Sequence, residues 1–216
     1  FYPLKIYCNY FEKYLHYSSS NDAVKNAYIY NMLGLLYNSM DLFDKSVENY
    51  NNAIHLLKKY SLENEEIFST VCLNIGSLYQ RVEKFEEAKN TFLEILKNKN
   101  SIAQDILATV CSKLGQICLK CFDYQHAEQY FNESFKIRTM LFPEPNEYIA
   151  YSYRDFGQLY LCKGEYMQAI NNFNSLKDKK YISYIPLGAS TKNIFFNNLG
   201  PKIPIKLELD GNVMSS

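Results

Sequence analysis

Apolar and polar positions follow a helical period along most of this chain, and one arrangement of them returns four times. Each copy is anchored on a glycine: Tyr30-Asn31-Met32-Leu33-Gly34, Cys72-Leu73-Asn74-Ile75-Gly76, Cys111-Ser112-Lys113-Leu114-Gly115 and Tyr153-Arg154-Asp155-Phe156-Gly157. Successive glycines are 42, 39 and 42 residues apart. Three residues after the glycine comes Tyr37, Tyr79, Cys118 or Tyr160, and nine after it an aromatic in every copy, Phe43, Phe85, Tyr124 or Tyr166. Twelve after it stand the small residues Ser46, Ala88, Ala127 and Ala169, and sixteen after it the rings of Tyr50, Phe92, Phe131 and Phe173.

The spacing has a geometric meaning. Tyr30, Leu33, Gly34 and Tyr37 fall at i, i+3, i+4 and i+7, one face of a helix, and Ser46, Tyr50 and Ala53 share a face of the next. Each copy is thus a pair of helices. Small residues let two backbones approach closely, aromatics fill the wedge between one pair and the next, and no pair buries its apolar face alone, so the pairs must stack. The predicted helices are 23–39, 43–59, 65–81, 85–98, 102–120, 124–140, 147–162 and 166–178. Ser101-Ile102-Ala103-Gln104 has the form of a capping box, Asn64 precedes Glu65 and Glu66 as an N-cap would, and Pro143 and Pro145 interrupt the chain between the third and fourth pairs. At the front, Tyr7, Phe11 and Tyr14 repeat the spacing of a second helix, so the chain is expected to begin in a truncated repeat whose open apolar face fits missing upstream repeats.

The expected fold is all-α, an α-α superhelix of about four helix pairs plus a partial N-terminal repeat, occupying residues 1–180. Beyond Asp178 the pattern stops, and Pro186, Pro201, Pro204, Gly188, Gly200 and Gly211 crowd into the last stretch. Residues 181–216 read as an extended or flexible tail; Ile203 to Leu209 alternates like a strand but has no partner strand, and the alternative is a segment folded back with Phe195 and Phe196 as anchors.

The large residue, Leu-Gly and Tyr of the first helix, with small-aromatic-small in the second, resemble the tetratricopeptide repeat over roughly residues 5–178. The family's usual period is about 34 residues, so the longer spacing here is similar to the long-helix branch exemplified by kinesin light chains. Asn31 and Asn74 sit where that branch has asparagines, whereas the third and fourth copies carry Ser112-Lys113 and Arg154-Asp155 there. The resemblance implies a superhelix whose concave groove, lined by first helices, takes an extended peptide or a partner helix. It implies a protein-interaction scaffold or adaptor; the alternative is a regulatory arm of a larger enzyme whose catalytic domain lies outside this chain.

Rotating from the packing face of each first helix gives a second stripe, six and three residues before the glycine and one and four after it. The candidate groove residues are Tyr28, Asn31, Asn38, Asn74, Ser77, Arg81, Lys113, Gln116, Lys120, Tyr151, Arg154 and Gln158. Amides both donate and accept, which suits the unpaired N–H and C=O groups of an extended peptide, while Arg81, Lys113, Lys120 and Arg154 add a preference for acidic ligands. Leu35 stands where the two-carboxylate clamp of chaperone-tail-binding relatives needs Asn, so that ligand class is not expected.

Composition narrows the remaining possibilities. Lys+Arg 23 balances Asp+Glu 23, which leaves no overall field to draw in nucleic acid or an anionic membrane, and no apolar run approaches a membrane span. Six cysteines scattered through helical patterns suit a reducing, cytoplasmic setting rather than a disulfide framework. Cys118, Cys121 and His126 lack the fourth ligand that a zinc site needs, so no metal is expected. His16, His55 and His126 fall in different repeats, and neither a phosphate-cradling glycine loop nor a nucleophile elbow is present. The expectation is no enzyme, no cofactor and no small-molecule substrate.

Overall fold

A computed structural model of the protein describes residues 2–18, 22–97 and 102–178. Among the described residues the chain forms nine α-helices and no strand: α1 (Tyr2–Tyr17), α2 (Ala23–Ser39), α3 (Phe43–Lys59), α4 (Glu66–Arg81), α5 (Phe85–Leu96), α6 (Gln104–Lys120), α7 (Tyr124–Leu141), α8 (Glu147–Lys163) and α9 (Tyr166–Asp178). The helix pairs α2–α3, α4–α5, α6–α7 and α8–α9 are the four expected copies, and α1 packs on α2 as the second helix of a partial repeat would. The tail from 181, with its strand-like run and its Phe195 and Phe196, lies outside the described residues.

Two expected caps are corrected. Glu65, not Asn64, is the N-cap of α4, and α6 starts at Gln104 behind Ala103, whose ψ of 139° keeps the preceding backbone extended. Neither cap residue makes a side-chain hydrogen bond to the helix end. The side-chain caps that do form are Asp22 on α2, Asp123 on α7 and Asn146 on α8, each accepting from a backbone N–H in the first turn.

The repeat glycines are explained by what lies against them. A Cβ added at Gly76 would sit 2.5 Å from Cε1 of Phe92, and Gly34, Gly115 and Gly157 face Tyr50, Phe131 and Phe173 in the same way. Each glycine therefore receives the ring sixteen residues downstream, inside its own helix pair. Tyr50, Phe92 and Phe131 are almost wholly buried, so the rings have nowhere to retreat. The small residue one turn before the ring closes the same contact: Ser46, Ala88, Ala127 and Ala169 are buried, and Ser46 Oγ donates to the Gly34 carbonyl at 2.8 Å.

Between helices of a pair the chain turns identically four times. The N–H groups of Leu42, Lys84, Asp123 and Glu165 each donate to a carbonyl five residues back at 2.9 Å. That closure needs a left-handed residue just past the helix, and Asp41, Glu83, Phe122 and Gly164 have φ of 57°, 61°, 61° and 77°.

From repeat to repeat the backbones of the first helices approach closely, α2 with α4, α4 with α6 and α6 with α8, while those of the second helices stand farther apart, Lys58 of α3 reaching Glu94 of α5 only through its side chain at 3.0 Å. The line of first helices is thus the shorter, inner side of the stack. Its free surface forms a trough.

Candidate functional site

The trough is lined by the second stripe of the first helices, and its residues divide into two sets. One set is consumed in holding repeats together. Asn31, 5% exposed, accepts from Nδ2 of Asn74 at 2.8 Å. Gln80 donates to Gln116 at 3.1 Å, Gln116 donates to Asp155 at 3.2 Å, and Ser112 Oγ donates to the other Asp155 oxygen at 2.7 Å. Arg81 spans back to Asn38 and reaches Asp41 at 3.4 Å. These contacts form a polar ladder across α2, α4, α6 and α8, so Asn31, Asn74 and Gln116 are engaged with each other's repeats rather than free.

The other set keeps side-chain surface exposed or half-exposed on this face. Tyr28 is 49% exposed, and Tyr151 is half-buried beneath the Arg154 guanidinium, which sits 5.0 Å from its ring centroid. Ser77 and Gln158 are half-buried, Lys120 is exposed, and Lys113 is half-buried. Loss of hydration depresses the Lys113 ammonium below the usual lysine range, with Asp155 opposing that shift and Arg154 reinforcing it. The available surface is therefore aromatic and cationic at the α8 end, with Tyr28 at the α2 end.

Two buried charged residues lie outside the sequence-derived candidates, Asp155 and Arg138. Asp155 is 1% exposed and accepts from Arg154 at 3.1 Å as well as from Ser112 and Gln116. Arg138 on α7 is 5% exposed and donates to Ser152 Oγ at 2.9 Å. The partner carries the signal: Ser152 stands where the other copies have Ile29, Val71 and Val110, whereas Asp155 occupies a position that already holds Asn74 and Lys113 in other copies.

The thiols behave as core groups or surface groups, not as a cluster. Cys118 is buried beside Phe131 and Phe156, whereas Cys121 is exposed at the turn. His126 is held by Asp123 through its Nδ1 at 2.8 Å. Among the described residues no three or more His, Cys, Asp or Glu side chains gather as a metal site would require, and no helix is long and apolar enough to cross a membrane.

The family model described as tetratricopeptide repeat matches residues 27–56, 69–101 and 108–139. Among solved structures, BtubC (BKLC) from P. vanneervenii is similar with 19% identity and a TM-score of 0.72, over 96% of this chain and 79% of that one. The kinesin light chain-type, nearly identical TPR-like repeats from Podosopora anserina align at 9% identity with a TM-score of 0.68, over 85% of this chain and 88% of that one. A Rap protein complexed with competence and sporulation factor aligns at 17% identity with a TM-score of 0.62, over 82% of this chain and 50% of that one. At such identities the likeness establishes the fold. A comparison with curated proteins finds no match.

Proposed function

We propose that this chain, a tetratricopeptide-repeat solenoid with kinesin light chain-like repeats, is a non-catalytic adaptor whose trough binds an extended peptide or a partner helix. The observation that carries the reading is the unequal engagement of the trough. Asn31, Asn74, Gln80, Gln116 and Asp155 fix the spacing of the first helices, while Tyr28, Tyr151 and Arg154 stand on the same inner face with surface left to bury. Tyrosine and arginine are the side chains that most often dominate binding energy when a partner covers them. Arg154 and Lys120 favour acidic ligands, and the neutral balance of the whole chain leaves that preference local. The Rap structure adds a precedent in this fold class, since that protein was captured with a factor bound. A reducing, cytoplasmic setting is consistent with six unpaired thiols.

The test is selection of peptides from a random display library on the full chain. Selected peptides are then measured against Tyr28→Ala with Tyr151→Ala, and against Asn52→Ala with Asn132→Ala on the exposed surface of the second helices. Trough binding gives at least about a tenfold loss for the tyrosine pair, equivalent to roughly 1.4 kcal/mol, and no change for the asparagine pair. Equal affinity in both would overturn the reading.

A further inference from the structure

Seven residues before the repeat glycine the four copies hold Ala27, Ser69, Ala108 and Ala150, all buried. Three copies keep a bare methyl at this level, and the second adds a hydroxyl. Ser69 is 6% exposed, and its Oγ makes no hydrogen bond among the described residues, whereas Thr70 and Thr109 return theirs to carbonyls of their own helices. A buried hydroxyl without a partner is unfavourable. Ser69 lines a pocket of about 160 Å³ between the start of α4 and the start of α6.

The remaining walls divide by chemistry. Glu63, Asn64 and Glu66 stand on the α4 side, and Ile102, Ala103 and Ile106 on the α6 side. No lysine, arginine or histidine lines the pocket, and neither glutamate is held in an ion pair among the described residues. Both helix starts lack a side-chain cap, and their dipoles contribute about half a positive charge each. The two carboxylates outweigh them and leave about one negative charge. A metal ion does not fit that demand, because only two acidic side chains line the pocket and hard cations take six or more oxygens.

We propose that this pocket binds a primary alkylammonium group. Such a group is a compact cation with three N–H donors, and the two carboxylates and the Ser69 oxygen supply three acceptors on the polar wall. Its methylene stem has Ile102, Ala103 and Ile106 to lie on, as lysine stems cover apolar surface while the charged head stays with polar partners. A guanidinium is planar and forked, and it is matched best by one bidentate carboxylate rather than by three separate acceptors. The ammonium has two possible sources, a lysine side chain of a partner protein or a free small amine. None of the pocket's residues belongs to the trough set, so this site and the proposed peptide groove stand or fall separately.

The experiment follows backbone amide and glutamate carboxylate resonances of the full chain by NMR at matched ionic strength. The titrants are butylammonium, tetramethylammonium and Nα-acetyl-lysine methylamide, each as the chloride. Butylammonium should give saturable shifts confined to residues 63–69 and 102–106, with tetramethylammonium, which has the charge but no N–H donor, at least about tenfold weaker. Ser69→Ala restores the residue of the other three copies and so remains folded. It should weaken butylammonium at least about threefold, and Glu63→Gln with Glu66→Gln at least about tenfold. Tighter binding of the lysine derivative than of butylammonium supports the site and assigns it to a lysine of a partner, and equal or weaker binding supports it as a free-amine site. Shifts that never saturate, equal binding of tetramethylammonium, or butylammonium affinity retained in either variant overturns the proposal.

Discussion

The seam between the first two helix pairs and the seam between the last two occupy equivalent positions and share an apolar frame, with Phe131 and Phe135 packed on Phe156 in the last, but they differ at one level. In the first, Leu57 meets Phe68 and Val71 in a continuous apolar cluster. In the last, Arg138 meets Ser152, with Asp155, Ser112 and Gln116 close behind. The helices bracket both in the same way, so the repeat geometry tolerates one buried cation within an otherwise apolar seam. It depends on the contact inside each pair, where glycine receives a ring. The lesson is a division of labour: intra-pair packing recurs in every copy, and an inter-pair seam can take a buried charge at one level of its apolar frame.

Moving the charge to the wrong seam is the most damaging way to break this comparison. Leu57→Arg buries a cation with no carboxylate at hand and should cost about 3–5 kcal/mol, read by urea denaturation. Next comes Asp155→Ala, which strands the charges of the last seam; because Arg154 can turn to solvent, the expected loss is about 2–3 kcal/mol by the same measurement. Gly76→Leu drives a side chain into the wholly buried Phe92 and should cost about 1–3 kcal/mol or more, whereas Gly157→Leu should cost less because Phe173 is only half-buried and can give way. Equal losses at the two glycines would mean that the rings are not what excludes a side chain. In the opposite direction, Arg138→Leu with Ser152→Val rebuilds the apolar seam at the end of the stack. Stability should then rise by about 1–2 kcal/mol, since buried ionic groups are often replaced by well-packed apolar ones with a gain.

The same division decides what could be read from the chain. Intra-pair contacts lie within about one repeat and recur, so glycine, small residue and ring were legible as a pattern, and the helix bounds followed. Most helix ends agreed within a residue because Asp41, Glu83, Phe122 and Gly164 close the same turn whatever their side chains. The larger differences flank the loop between the second and third pairs, where α5 ends at Leu96 rather than 98 and α6 starts at Gln104 rather than 102. Seam contacts join residues about 40 apart: Asn31 with Asn74 and Ser112 with Asp155 pair the same two positions, three before one glycine and two before the next, but with different side chains, so no single residue type marked them. The stripe rule placed Asn31 and Gln116 on the trough but could not tell that each was already bonded to a neighbouring repeat. Arg138 was passed over because a lone polar residue in a helical period reads as surface.

Cys72 and Cys111 offer the finest probe, because both stand four residues before a repeat glycine, one in the apolar region and one beside Arg138. Burial raises the Cys72 thiol to about 12, with Lys58 drawing it back slightly. Burial also raises Cys111, but only to about 11, with Glu133 adding to the rise and Arg138 opposing it. A free cysteine titrates near 9.0, so between that pH and the folded-state value the unfolded chain binds fewer protons than the folded one. The stability that the neutral thiol confers is therefore complete below pH 9, and it is lost as pH rises, to about 11 for Cys111 and to about 12 for Cys72. Thiolate absorbance in single-cysteine backgrounds should show Cys111 ionising first. Arg138→Leu should then move Cys111 upward towards Cys72 and leave Cys72 where it is, since the cation is removed from one seam alone. If Cys111 stays put, the guanidinium does not govern its surroundings, and the contrast between the two seams is one of packing rather than charge.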